Sequence, residues 1–195
     1  MVQRGPMKIL IMWMGTVMWA AVLAAGQAMP KPEPPRTVTQ VLDRSVTNVE
    51  KEFVSAAEAM PEAKYSYAPT DGEFKAVRTF AQQVKHVAAT NYELAAAILQ
   101  VKPPVQIGDD ESGPSSVKTK AEIMQFLKDS FAYLHKAVAT INAQNEVESI
   151  KSPWGQNTVT RLGLTTLTVG HCFDHYGQMV VYLRHNGIIP PASRG

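Results

Sequence analysis

The 195 residues predict an all-α fold, a four-helix bundle behind an export leader. Three observations carry that prediction. Apolar residues recur at steps of three and four over four separate stretches, the period of a helix with one buried face. Two of those stretches open with a Thr-x-x-Gln or Thr-x-x-Glu capping box. Proline and glycine clusters punctuate the intervals, and no segment reads as a convincing strand.

The chain begins with a segment of another kind. Arg4 and Lys8 precede an apolar run from Ile9 to about Leu23, followed by small residues at Ala24, Ala25, Gly26 and Ala28. A positive start, an apolar centre and a small-x-small site define a secretory signal peptide over residues 1–28. The run is shorter than the ~20 residues that span a bilayer, so a membrane is expected as a partner only during export. Of the 19 basic residues this segment holds two and of the 17 acidic residues none, so the remainder carries 19 − 2 = 17 basic against 17 acidic. A balanced chain offers no basic surface for nucleic acid, and none is expected as a partner. The protein is expected outside the cytoplasm, periplasmic or secreted. Cys172 is the single cysteine. It cannot form a disulfide within the chain, so stability must come from the core, and it reads as a small buried helix residue.

Residues 29–36 (Met-Pro-Lys-Pro-Glu-Pro-Pro-Arg) form a proline-rich linker. The first helix starts at Thr37 with Gln40 completing the box, buries Leu42, Val46, Val49, Phe53, Ala57 and Met60, and ends at Pro61. The second runs from about Val77 to Gln100, with Phe80, Val84, Val87 and Leu94 on one stripe, and Lys102-Pro103-Pro104 stops it. Thr119 and Glu122 open the third, which turns Ile123, Leu127, Phe131, Leu134, Val138 and Ile141 inward. The last is expected from Thr158 to Asn186, closed by Gly187 and Pro190-Pro191. The bundle thus fills residues 37–192. Its connections, at roughly 14–18 residues, exceed those of a simple up-down bundle and permit crossovers.

On the last helix Leu164, Leu167, His171, His175, Met179 and Tyr182 share a stripe. His171 and His175 therefore interrupt the core-facing side, where a polar group is costly unless satisfied. Four residues apart on a helix, their imidazoles can converge on one metal ion. One buried histidine with a hydrogen-bond partner and a second at the rim of the bundle are the other reading, and spacing leaves both open. His185 sits where a cation favours the helix C-terminus. His135 flanks the third stripe. His86 lies away from the Phe80/Val84/Val87 stripe, near Gln82, Ala89, Thr90 and Glu93, and by itself reads as a solvated or flank residue. Spacing does not select a third ligand.

Several motifs together resemble the DinB/YfiT family. They are Phe80-Ala-Gln-Gln-Val-Lys-His86-Val-Ala-Ala, the later His171-x-x-x-His175, and Tyr176-Gly177-Gln178. Tyr182 to Pro191 and the loop Met60-Pro61-x-x-Lys64-Tyr65-x-Tyr67-x-Pro69 complete the set. The resemblance extends from Thr37 to about Ala192. It implies an up-down-down-up bundle and a divalent metal held by His86, His171 and His175. Some members related to thiol-dependent transferases activate a low-molecular-weight thiol; the export leader departs from that cytosolic setting.

Three neutral imidazoles would leave positions on a metal open for Lewis-acid chemistry. Imidazole ligation admits zinc, nickel, iron, copper or manganese. The general base is not evident. Glu93 is a candidate, though it reads first as a surface carboxylate; Asp174, Tyr176 and Gln178 suit an orienting role or plain exposure. A metallopeptidase is excluded on specifics: Cys172 occupies the glutamate position of H-E-x-x-H, and no Asp or Glu follows residue 174. The expected function is an exported metal-dependent enzyme, transferase or hydrolase, acting on a small molecule. The alternatives are a non-catalytic metal-binding bundle and a helical stress or envelope protein without metal. A homodimer through a helix face is the remaining partner expectation.

Overall fold

The computed structural model describes residues 36–70 and 77–194. The expected leader and all of the linker but Arg36 lie outside the described residues. Four helices form: α1 (Val38–Ala59), α2 (Phe80–Leu99), α3 (Lys120–Val138) and α4 (Arg161–His185). Two short strands, β1 (Ser149–Lys151) and β2 (Thr158–Thr160), accompany them.

Each helix starts on a threonine, whose hydroxyl satisfies an amide that the first turn leaves unpaired. Thr37 and Thr119 cap α1 and α3 with the boxes expected from Gln40 and Glu122. Thr79 caps α2 with a third box, through Gln82, so α2 starts later than Val77. The last helix starts at Arg161 rather than Thr158, on the cap of Thr160. Thr158-Val159-Thr160 is instead a strand, paired antiparallel with Ser149–Lys151 so that Ile150 faces Val159. Three-residue strands are too short to show a period-2 pattern, but this one is β-branched throughout. α4 ends in a Schellman motif: the amide of Ile188 donates to Leu183 O and that of Gly187 to Arg184 O, both at 2.9 Å. The closure needs a left-handed residue, and Gly187 has φ +72°. The helices being shorter than expected, the connections are longer: 60–79, 100–119 and 139–160.

α2 packs on α3 and α4, and α1 closes the ring against the same two. Lys120, opening α3, donates to Glu58 O and Met60 O at the end of α1, so these two run oppositely. Asn91 on Ser130 and Tyr92 between Phe126 and Tyr133 lay α2 and α3 side by side. Tyr65 joins their two beginnings, with its ring on Phe80 and its hydroxyl at Met124. Tyr182 near the end of α4 reaches Arg78 O just before α2, and Arg161 at its start reaches Ile98 O. Lys64, just past α1, meets Asn186 O, just past α4. By these contacts α1 and α4 run one way and α2 and α3 the other. Phe53, Phe80, Phe131, Leu94, Leu127, Leu134 and Met179 fill the centre.

Two expectations about helix faces do not hold. Leu167 is 48 % exposed, and the buried stripe of α4 passes through Thr168 and Cys172 instead. His86 is not solvated: it is 5 % exposed, because fifteen of the twenty α2 residues are buried and the helix has no free polar face.

Candidate metal centre

α2 and α4 lie antiparallel, and their facing surfaces bring His86, His171 and His175 together. One nitrogen from each ring falls within 4.8 Å of the others. The Nε2 atoms of His86 and His171 are 3.1 Å apart, and the three rings meet edge to face at centroid separations of 4.5–5.0 Å. Three nitrogens on one tetrahedral zinc would be ~3.3 Å apart, so a small contraction brings the set to coordinating geometry.

The protons on these rings can be assigned from their partners. Nδ1 of His86 donates to the carbonyl of Glu111 at 3.2 Å, and a carbonyl can only accept, so Nε2 carries the lone pair. Glu111 is held there by a loop that doubles back. Gly113 N donates to Ile107 O, and Lys85 Nζ donates to Pro114 O, both at 2.8 Å. Glu111 itself takes φ +53°, a left-handed conformation rare outside glycine.

His175 is set by a longer relay. Asp174 presents a carboxylate, an acceptor, to Gln178 Nε2 at 3.0 Å. The other end of that amide, Oε1, then accepts from Gln83 Nε2 at 2.8 Å. Gln83 Oε1 is left to accept from His175 Nδ1 at 2.6 Å. His175 therefore turns an unprotonated Nε2 towards the other two rings, as ligating imidazoles oriented by outer partners do.

His171 has no such partner: its Nδ1 is buried and unbonded. With the proton on Nδ1, a buried donor is unsatisfied and two lone pairs meet at 3.1 Å. With the proton on Nε2, a buried acceptor is unsatisfied. A cation at the point where the three nitrogens converge relieves the first arrangement, and on that observation the residues fit a metal ion. Burial is the main cause that lowers all three pKa values; Arg78 adds to it for each, and neighbouring imidazoles add to it for His171 and His175, which fall to about 4. The shifts favour the neutral rings, the form that ligates, at neutral pH.

The other expectations sort as follows. His135 bridges Asp43 (2.6 Å) and Glu50 (3.1 Å) between α3 and α1 and is not part of the trio. Nδ1 of His185 meets the hydroxyl of Tyr67. Cys172 is fully buried, donates its thiol to Asn91 Oδ1 and is pushed up to about 12 by burial. Tyr176 donates to Glu52. Glu93 is partly buried rather than a surface carboxylate, and burial with the nearby Glu111 charge raises it to about 7. Gln83 and Glu111 went unnoticed in the sequence. Gln83 stands three residues before His86, on the same helix face; Glu111, in a loop, carries no such sign.

The profile of the DinB superfamily matches residues 45–179. Among solved structures, a conserved protein from Enterococcus faecalis superposes with a TM-score of 0.61 at 18 % identity, covering 77 % of this chain and 97 % of its own. A DinB-like protein from Bacillus subtilis gives 0.58 at 18 % identity, covering 75 % and 92 %. One from Bacillus cereus gives 0.60 at 13 % identity, covering 80 % and 96 %. Among the curated proteins none matches. At these identities the structures share the fold, and the profile, spanning well over half of the residues, settles the family. The chain belongs to the DinB superfamily.

Proposed function

We propose that this is an exported metal-dependent enzyme of hydrolase or transferase type, acting on a small molecule through a divalent ion held by His86, His171 and His175. The observation that carries the reading is the convergence of three neutral imidazoles, two buried and His171 half-buried, with Nδ1 of the buried pair committed to an acceptor. An ion so held supplies Lewis acidity, polarising a carbonyl and lowering the pKa of water towards ~7. The chain's own part is to fix the two Nδ1 protons, keep the rings uncharged and exclude bulk water. Zinc, nickel, iron and copper all suit imidazole. Export rests on the leader pattern of residues 1–28, and self-association on the apolar outer face of α4, where Leu167, Phe173 and Val181 are exposed.

Metal-stripped and metal-reconstituted protein, assayed against esters, amides and thiol adducts, test the catalytic part. Turnover that requires metal and varies with pH supports it. Metal-loaded protein inert to all three classes contradicts it and favours a non-catalytic metal-binding bundle.

A further inference from the structure

Glu93, Ala96, Ala97 and Gln100 follow one another at steps of three, one and three, so they share one face at the end of α2. That face is the floor of a cavity of about 410 Å³, walled by Pro103 and Ile107 of the 100–119 connection and by residues 151–153 at the end of β1. Two alanines on the floor leave room that longer side chains would fill. No histidine lines the cavity, so it is separate from the metal centre. Its size is that of a small-molecule site, and such sites combine apolar walls with a few placed polar groups.

Some of its polar groups are committed to the protein. The side-chain amide of Gln100 accepts from Lys151 N and donates to Ala97 O and Lys151 O. Ser152 Oγ accepts from Trp154 N and donates to Trp154 O. The uncommitted groups divide between two ends. At one end Glu93 Oε2 is buried without a hydrogen-bond partner. The Glu111 carboxyl stands beside it, and two carboxyls so crowded are relieved by a cation. The indole of Trp154, 45 % exposed, lies by the same carboxyl, and an aromatic ring also favours a cation. At the other end are Lys102, two residues past Gln100, and Lys151, held against Gln100. Neither ammonium has a partner among the described residues. Seven residues separate Glu93 from Gln100, so the ends lie about 10 Å apart along the helix. Ala96, Ala97 and Ile107 make the space between them apolar.

We propose that this cavity binds a small zwitterion, its ammonium against Glu93, its carboxylate between Lys102 and Lys151, and an apolar spacer between the two. A lone anion leaves Glu93 Oε2 unpaired, and a lone cation leaves both lysines unused. A molecule that carries both charges several bonds apart satisfies the buried oxygen and the two ammoniums together. An α-amino acid, whose charged groups share one carbon, is too short to reach both ends; an ω-amino acid or a dipeptide spans them. No histidine takes part, so the site stands apart from the metal reading.

The test is calorimetric titration of the full chain with 6-aminohexanoate, beside hexanoate and hexylamine, which each lack one of its charges. 6-Aminohexanoate is expected to saturate the protein with a Kd below about 1 mM, and each control to bind at least about tenfold more weakly. This comparison of ligands needs no variant to fold. Glu93→Gln keeps the shape of the side chain, removes its charge, and is expected to weaken 6-aminohexanoate about tenfold. Lys102→Glu/Lys151→Glu is expected to weaken it at least as much. No saturable binding of 6-aminohexanoate, equal binding of hexanoate or hexylamine, or undiminished binding by either variant overturns the proposal. Metal uptake by the histidines is measured separately, so neither result decides the other.

Discussion

Asp174 and His175 are neighbours in the chain, yet the exposed carboxylate fixes the buried ring's tautomer by a detour through Gln178 and Gln83. Each amide has one donating and one accepting end, so the acceptor at one terminus sets the polarity of every link. His175 has no say in where its proton sits.

That relay makes two substitutions unequal. Gln83→Leu removes the acceptor of His175 Nδ1 and should weaken metal binding by about 10- to 100-fold. Asp174→Asn, which allows the relay to reverse, should cost less because water at this exposed end can replace the carboxylate. Competition with a chelator measures both, with circular dichroism to show that the helices persist.

Gly108→Ala acts at a distance from the site. A Cβ there would lie 2.4 Å from the carbonyl oxygen of Gly113, and the residue has φ +76°. Backbone against backbone cannot yield cheaply, so the loop that presents Glu111 O to His86 must shift. Metal affinity should fall with little change in the urea midpoint of metal-free protein, because the loop is largely exposed.

His135 predicts a pH dependence separate from the metal. Burial alone would lower its pKa, but the hydrogen bonds and charges of Asp43 and Glu50 outweigh burial and raise it. A raised histidine adds stability that is fully present below its unfolded pKa of ~6.5 and is lost as pH rises through the folded value. In chelator, wild type should therefore lose more stability than His135→Gln between acidic and alkaline pH. Because Asp43 is half exposed, the difference belongs to the range of surface pairs, about 0.2–1 kcal/mol. Equal urea midpoints at both ends of the range would refute this.

Cys172 should be inert. Its thiol is fully buried and its pKa is pushed up to about 12, so almost no thiolate exists at neutral pH. Native protein should leave a disulfide reagent unreacted over hours while urea-unfolded protein consumes one equivalent. Rapid reaction of the native state would place the thiol at a mobile surface instead.

The helices are readable in the sequence where the signal is local. Thr37/Gln40 and Thr119/Glu122 announce the starts of α1 and α3, and Pro61 and Gly187 the ends of α1 and α4. What is not readable is tertiary. The burial of α2 on nearly every side depends on its neighbours, so a helical wheel drawn from Phe80, Val84 and Val87 put His86 in solvent or on a flank. The strand at Thr158 exists because Ser149–Lys151 pairs with it. The histidine pair on α4 was visible from spacing, but His86 came from family resemblance. Gln83 and Glu111 have roles that only the meeting of α2, α4 and the 100–119 connection creates.

Metal content measures the central claim most directly. Protein purified from its native host, compared with the His171→Ala variant by metal mass spectrometry, should carry one divalent ion per chain where the variant carries little or none. Equal metal in the two proteins would contradict the three-histidine centre.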